Sequence, residues 1–281
     1  MIAAEWMAGC QLARVEALAL LRDIAGLSHA SLLAHPDTLL GTDAVERLQD
    51  AARRLHAGEP LAYVLGWREF YGLRFAVSPV VLVPRPETEM LVDFALQHMA
   101  PQGSARVLDL GTGSGAIALA VAHERPHAQV WAVDASKEAL AVAAQNAQTL
   151  LPRDRAGGAP RLVAGDWFAA LPAQMPRFDI ILSNPPYVAT GDVHLEGLRY
   201  EPLLALVGRA GSDGLAEIRR IVAGAPGYLA AGGWLAIEHG YDQAQAVRAM
   251  LCAAGLTAVG TQPDLAGIPR MTFGQRAGES R

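Results

Sequence analysis

Up to about residue 66 the apolar positions recur at helical spacing, and nothing alternates as a strand would. Leu12, Val15, Leu18 and Ala19 fall in phase with Arg22, and Leu27, Leu32, Leu33, Leu39 and Leu40 add further apolar faces. Ser28, Ser31, residues 35–37 and residues 41–43 supply the turns and caps between short helices. Val45, Leu48, Ala52 and Leu55 make one more helix before Gly58-Glu-Pro60. The pattern predicts a small helical bundle over 1–66 whose leucine faces form its core. Residues 67–84 change texture: Phe70, Leu73, Phe75 and Val77 around Gly72 read as a β-hairpin linking the bundle to the rest of the chain. From residue 104 short apolar runs alternate with helical patterns. Strands are expected at 106–110, 130–133, 161–164, 178–182 and 234–237, with weaker ones near 257–260 and 271–273. Helices are expected at 116–122 and 137–150, loops at 152–160 and 189–197, and a frayed tail at 274–281. Such alternation predicts an α/β unit over 85–281, a mostly parallel sheet with helices on both faces.

The chemistry collects at the ends of the expected strands. Asp109-Leu-Gly-Thr-Gly-Ser-Gly115 follows the first strand of the α/β unit and opens a helix. Gly111, Gly113 and Gly115, with Thr112 and Ser114 between them, allow a sharp turn, a close backbone approach and free N–H groups at a helix start. This suits a nucleotide-like cofactor, and the turn alone does not separate a nicotinamide enzyme from a methyltransferase. Asp134 ends the second strand, where a carboxylate can accept from both ribose hydroxyls; it could equally cap the next helix, a task Ser136 can also perform. Asp166 and Trp167 end the third strand, where an adenine would lie. The carboxylate could accept from the adenine amino group and the indole could pack on its face, or Trp167 could be core.

Ser183-Asn-Pro-Pro-Tyr187 follows the fourth strand, at the carboxyl edge where open α/β sheets hold ligands. Pro185 and Pro186 donate no N–H and hold a fixed φ, leaving rigid carbonyls as acceptors. Asn184 adds a side-chain carbonyl and Tyr187 an aromatic face. Together they suit a planar amino group, two acceptors for its two hydrogens and a ring against its plane. An amide nitrogen is a poor nucleophile because its lone pair is delocalised. Acceptors at Asn184 Oδ1 and the Pro185 carbonyl would orient it and favour the positive charge that develops on attack. Hydride transfer has no use for such a loop. A sulfonium methyl donor leaves as a neutral thioether, so no metal, covalent intermediate or general base is required.

Composition narrows the classes. Hydrophobic residues make up 52% and charged residues 18% of 281, which excludes disordered and fibrous chains. No apolar run approaches the roughly 18 residues of a membrane span. The start carries Glu5 before its first base, Arg14, the reverse of a secretory signal. Cys10 and Cys252 are far apart and lack metal-ligand neighbours. A cytoplasmic protein without metal is the expectation, and monomeric, since no large apolar stripe stands out. The net charge of −5 and the absence of a basic run weigh against direct nucleic-acid binding. Lys137 is the sole lysine, inside an expected helix, so a Schiff-base or phosphate-binding lysine has almost no candidate.

Taken together these motifs resemble the HemK/PrmC family of protein-glutamine N-methyltransferases over most of the chain. The resemblance is carried by Glu69-Phe-Tyr-Gly72, Pro84-Arg-Pro-Glu-Thr-Glu89, residues 107–115, Gly165-Asp-Trp-Phe168 and residues 183–187. Arg199-Tyr-Glu-Pro202, Glu238-His-Gly240 and Asp264-Leu-Ala-Gly267 with Arg270 add to it. The Asn-Pro-Pro-Tyr motif is shared with adenine and cytosine amino-methyltransferases; residues 84–89 beside a helical N-terminal unit are more specific. The resemblance implies a Rossmann-like seven-stranded sheet that uses S-adenosylmethionine (SAM) to methylate the side-chain amide of the glutamine in the Gly-Gly-Gln motif of peptide chain release factors. It implies that residues 111–115, Asp134, Trp167 and Asn184 contact SAM, that Asn184, Pro185, Pro186 and Tyr187 hold the glutamine, and that the helical unit and hairpin grip the release factor. Two other readings remain: a nucleic-acid amino-methyltransferase, and a module that binds SAM or a translation factor without catalysis. Residues 84–89 have a local reading too, Pro86 with Glu87 and Glu89 being a good helix opening. His239, after an apolar strand, is expected to be packed rather than a base.

Overall fold

The computed structural model describes residues 1–172, 174–209 and 213–278. The chain divides into two compact units, Met1–Trp67 and Arg68–Arg281.

The first unit is helical: α1 (Ala3–Gly9), α2 (Arg14–Ala25), α3 (His29–Ala34), α4 (Thr42–His56) and α5 (Leu61–Leu65). Its core is Ala3, Trp6, Ala17, Leu20, Leu21, Leu32, Leu48, Ala51 and Ala52. α2 buries Ala17, Leu20 and Leu21, while Leu12 and Leu18 of the phase expected from the sequence pack partly buried against the same core. Val15 is 71% exposed and Leu33 69%. Both phases offer apolar side chains at helical spacing. Ser28 caps α3 through its hydroxyl, which accepts from the Ser31 N–H at 3.0 Å.

The second unit opens with the hairpin of β1 (Trp67–Phe70) and β2 (Leu73–Ala76). Tyr71 and Gly72 both have positive φ, 52° and 71°, which a two-residue turn of this hand requires. Glu89 stabilises that turn by accepting from the Tyr71 N–H at 2.7 Å.

A short 3-10 turn, Pro86–Thr88, leads into α6 (Glu89–Gln97). The α/β alternation then runs through β3 (Arg106–Leu110), α7 (Ala116–Glu124), β4 (Gln129–Asp134), α8 (Lys137–Leu150), β5 (Arg161–Ala164) and β6 (Phe178–Ser183). It ends with α9 (Leu203–Val207), α10 (Ala216–Tyr228), β7 (Leu229–Glu238), α11 (Ala244–Ala253), β8 (Leu256–Pro263) and β9 (Pro269–Arg276). The seven-stranded sheet has the order β5-β4-β3-β6-β7-β9-β8. It is parallel except at β9, which runs antiparallel to both β7 and β8.

The strands are apolar on both faces because both are covered. Along β3, Val107 joins α6 and α7 on one side, while Leu108 and Leu110 join Ile218 and Ile221 of α10 and Val247 and Leu251 of α11 on the other. The order reverses direction between β3 and β6, so their carboxyl ends diverge and leave the crevice where such sheets bind ligands.

Three expectations need revision. β7 begins at Leu229, five residues before the apolar run that marks it in sequence. Residues 274–276 belong to β9 rather than to a frayed tail, whose last residues, 279–281, lie outside the described ones. Within the expected 189–197 loop, Val193–Leu198 forms a 3-10 turn that Asp192 caps by accepting from the His194 N–H at 2.8 Å.

Candidate active site

The site is built where β3, β4, β5 and β6 end. After β3 the chain turns through Gly111, Gly113 and Gly115, with φ of 77°, 54° and 85°, a region L side chains rarely adopt. At Gly111 a Cβ would lie 3.3 Å from the Trp167 ring, and at Gly115 one would lie 2.9 Å from Leu119 Cδ1. Gly111 therefore serves a close approach and Gly115 the packing of α7.

Asp134 holds this turn as well as facing the cavity. Its Oδ2 accepts from the Gly113 N–H at 2.8 Å and its Oδ1 from the Ser136 N–H at 2.9 Å. Ser136, not Asp134, caps α8, its hydroxyl accepting from Ala139 at 3.0 Å. Burial raises the Asp134 pKa, opposed by these backbone N–H groups. Each carboxylate oxygen keeps a second lone pair, which is what a vicinal diol needs.

Beneath the turn, Asp109 is fully buried. Thr112 Oγ1 donates to its Oδ2 at 2.6 Å and the Ala118 N–H at 3.2 Å, while Oδ1 has no partner. Burial pushes its pKa up to about 7. The sequence alone assigns Asp109 no role.

Trp167 has φ of 46°, and its Nε1 donates to Glu217 Oε2 at 2.7 Å. Glu217, buried on α10, also accepts from the Arg209 N–H at 2.9 Å and from Arg220. Arg220 bridges to Asp166 in turn. Trp167 is thus a fixed wall of the cavity. Asp166 lines the cavity too, but one of its oxygens is held by a guanidinium, which reduces what it can offer a ligand amino group.

The Asn-Pro-Pro-Tyr segment is anchored along its length. Ser183 Oγ donates to the Leu110 carbonyl at 2.7 Å, tying β6 to β3. Asn184 Nδ2 donates to Thr88 Oγ1 at 3.0 Å. The Tyr187 hydroxyl donates to Glu238 Oε1 at 3.1 Å and its carbonyl accepts from Gln243 Nε2 at 3.0 Å. A Cβ on Gly214 (φ 68°) would sit 2.3 Å from that same carbonyl oxygen. Val188 N–H donates to the Leu206 carbonyl at 2.9 Å. Burial and the Glu238 charge raise the Tyr187 pKa far above the phenol range, so the hydroxyl stays protonated.

One cavity brings these parts together. Among its lining residues are Gly111, Thr112, Gly113, Ser114, Asp134, Asp166, Trp167, Asn184 and Pro186 from the expected set. Pro84, Thr88, Pro202, Leu204, Arg209 and Glu217 are among the others. Gly115, Pro185 and Tyr187 do not line it; they position the turn and the loop that do. Of residues 84–89, Pro84 and Thr88 line the cavity, and Pro86–Thr88 form the 3-10 turn that opens α6. Sequence reasoning missed Glu217, Gln243 and Glu238 as partners; a lone acid closing the apolar run of β7 was the available signal for the last. His239 is packed as expected, with Nε2 2.8 Å from Thr272 Oγ1. Among the described residues, no group of three or more His, Cys, Asp or Glu could hold a metal ion.

The chain is also similar to known proteins. Residues 7–66 match the model of the PrmC N-terminal domain and residues 88–199 that of the methyltransferase small domain. The chain is 49% identical over 98% of its length, and 96% of the relative's, to the release factor glutamine methyltransferase of Burkholderia pseudomallei (strain K96243). It is 51% identical to that of Bordetella pertussis (strain Tohama I), over 94% of this chain and 95% of the relative. Among solved structures, a methyltransferase from Pyrococcus furiosus shares the fold, with a TM-score of 0.53 and 19% identity over 81% of this chain and 98% of its own. With about half its residues in common with such full-length relatives, the chain belongs to the release factor glutamine methyltransferase family.

Proposed function

We propose that the protein transfers a methyl group from SAM to the side-chain amide nitrogen of the glutamine in the Gly-Gly-Gln motif of release factors. The observation that carries this reading is the anchored Asn184–Tyr187 loop lying across one cavity from the glycine turn and Asp134. The cavity suits SAM on its own terms. Gly111 and Gly113 leave no side chain between backbone and ligand, Asp134 retains lone pairs for the ribose hydroxyls, and Trp167 offers a fixed ring for the adenine. When bound, SAM supplies a methyl on a sulfonium whose departure leaves a neutral thioether.

The chain's own residues then have a positioning and electrostatic task. Asn184 engages Thr88 through its nitrogen, so its Oδ1 is the half of the amide left to accept from the substrate. The Pro185 carbonyl, with no intervening N–H to compete, is the second acceptor. Two acceptors on one NH₂ group hold its plane, and the Asn184 amide is oriented by Thr88 before the substrate arrives. The methylated nitrogen is acidic enough to lose its proton to water, so no buried base is assigned. The helical unit 1–66 and the hairpin bind the release factor. The protein acts on protein rather than nucleic acid, as a cytoplasmic monomer without metal.

The test is competition: labelled SAM offered to unmodified release factor together with DNA and RNA. Label is expected in the release factor alone. Label in nucleic acid would move the function to an amino-methyltransferase of bases, and SAM binding without any transfer would leave a binding module.

A further inference from the structure

Thr88 stands at the N-cap of α6, where a threonine hydroxyl ordinarily accepts from the helix's own free N–H groups. Here it makes no capping bond, and its backbone is already αR (φ −65°, ψ −20°). The residue is 4% exposed and lines the cavity. Its Oγ1 instead accepts from Asn184 Nδ2, 96 residues away in sequence, at 3.0 Å. At the far end of the same loop the buried carboxyl of Glu238 receives the Tyr187 hydroxyl at 3.1 Å.

We propose that Thr88 is a positioning residue that sets which end of the Asn184 amide faces the acceptor substrate, a role that rests on the proposed amide-methylating function. Hydrogen-bond polarity decides the orientation. A hydroxyl has one hydrogen and two lone pairs, and a carboxamide has a donor end and an acceptor end. Thr88 Oγ1 takes the donor end, accepting from Asn184 Nδ2 at 3.0 Å, which turns Oδ1 the other way. Reversing the amide would set an NH₂ against the substrate's own NH₂, a donor facing a donor. The Glu238 carboxyl at the end of β7 holds the Tyr187 hydroxyl, so Thr88 and Glu238 fix the two ends of the acceptor loop.

The test compares Thr88→Val, which keeps the shape and removes the hydroxyl, with Thr88→Ser, which keeps the hydroxyl. Thr88→Val is expected to lower kcat at least tenfold while the SAM Kd from calorimetry stays within twofold, and Thr88→Ser is expected to restore kcat to within threefold. A kcat unchanged in Thr88→Val, a Thr88→Ser as impaired as the valine variant, or a SAM Kd that weakens by the same factor as kcat would each overturn the proposal. A second readout needs no turnover. In NMR spectra of the side-chain amides, the Asn184 Nδ2 hydrogens should exchange with water at least tenfold faster in Thr88→Val than in wild type and Thr88→Ser. Equal exchange in all three would contradict the assigned hydrogen bond even if methyl transfer were normal. A wild-type protein that transfers no methyl to release factor, yet shows this exchange pattern, would sink the functional reading and leave the Thr88 contact standing.

Discussion

In the proposed role Asn184 uses both ends of one amide, and the engagement of its nitrogen by Thr88 is visible only in three dimensions. From sequence, its carbonyl and that of Pro185 read as acceptors for a planar amino group, because two prolines remove competing donors. That Thr88 holds the other end of the amide could not be read locally, since the partners are 96 residues apart. Asp134 shows the same limit. Its position at a strand end suggested ribose contact, and the structure adds that it organises the glycine turn through Gly113. Asp134→Ala should therefore weaken SAM binding by about 1–3 kcal/mol, the range for losing a charged acceptor. Calorimetry checks this; an unchanged Kd would remove Asp134 from the cofactor site.

At the scale of elements, periodicity placed the strands Arg106–Leu110 and Arg161–Ala164 and the helix Lys137–Leu150 to the residue and found part of each of the other five sheet strands, because buried strands read as apolar runs between turn signals. It gave no notice of α10, which carries Gly224, Gly227 and Pro226, residues that argue against a helix in isolation. Gly224 is there for packing: a Cβ would meet Phe168 at 2.4 Å. Nor did it reveal what joins the elements. Asn146 on α8, 1% exposed, accepts from the Ala76 N–H of β2 and donates to the Ala76 and Ser114 carbonyls. One side chain thus ties the hairpin to the glycine turn. Asn146→Ala would leave these buried backbone groups unpaired, and a loss of about 2–4 kcal/mol is expected in denaturant unfolding. A loss near zero would show that the hairpin is held by its apolar contacts alone. The expected loop at 152–160 is likewise anchored: the Arg155 guanidinium donates to the carbonyls of Ala122, Arg125, Ala128 and Gly158.

At the scale of the whole molecule, the site carries a pH signature. Burial pushes the Glu238 pKa from 4.5 up to about 7, with Thr88 and Tyr187 opposing through hydrogen bonds, Glu87 adding to the rise and Arg270 reducing it. A carboxyl raised on folding binds its proton more tightly in the native state. Below pH 4.5 both states are protonated and the group is neutral to stability. Between 4.5 and 7 the native state alone keeps the proton, so stability falls as pH rises, and above 7 the full penalty stands. Glu238→Gln removes the charge, so its stability relative to wild type should improve by about 3 kcal/mol on going from pH 4.5 to pH 8. Denaturant melts of both proteins at the two pH values check this; a pH-independent difference would show that folding leaves the Glu238 pKa at its unfolded value.

Cavity and acceptor loop together serve one end, the methylation of a protein amide. The most direct measurement is mass spectrometry of a release factor made without its modification and incubated with SAM and this protein. The gain of one methylene is expected on the peptide holding Gly-Gly-Gln, at the glutamine itself. The Asn184→Ala protein should deliver it at least about a hundredfold more slowly, the scale of losing a preorganised transition-state contact. No gain at that glutamine with wild type, or an equal rate from Asn184→Ala, would contradict the account.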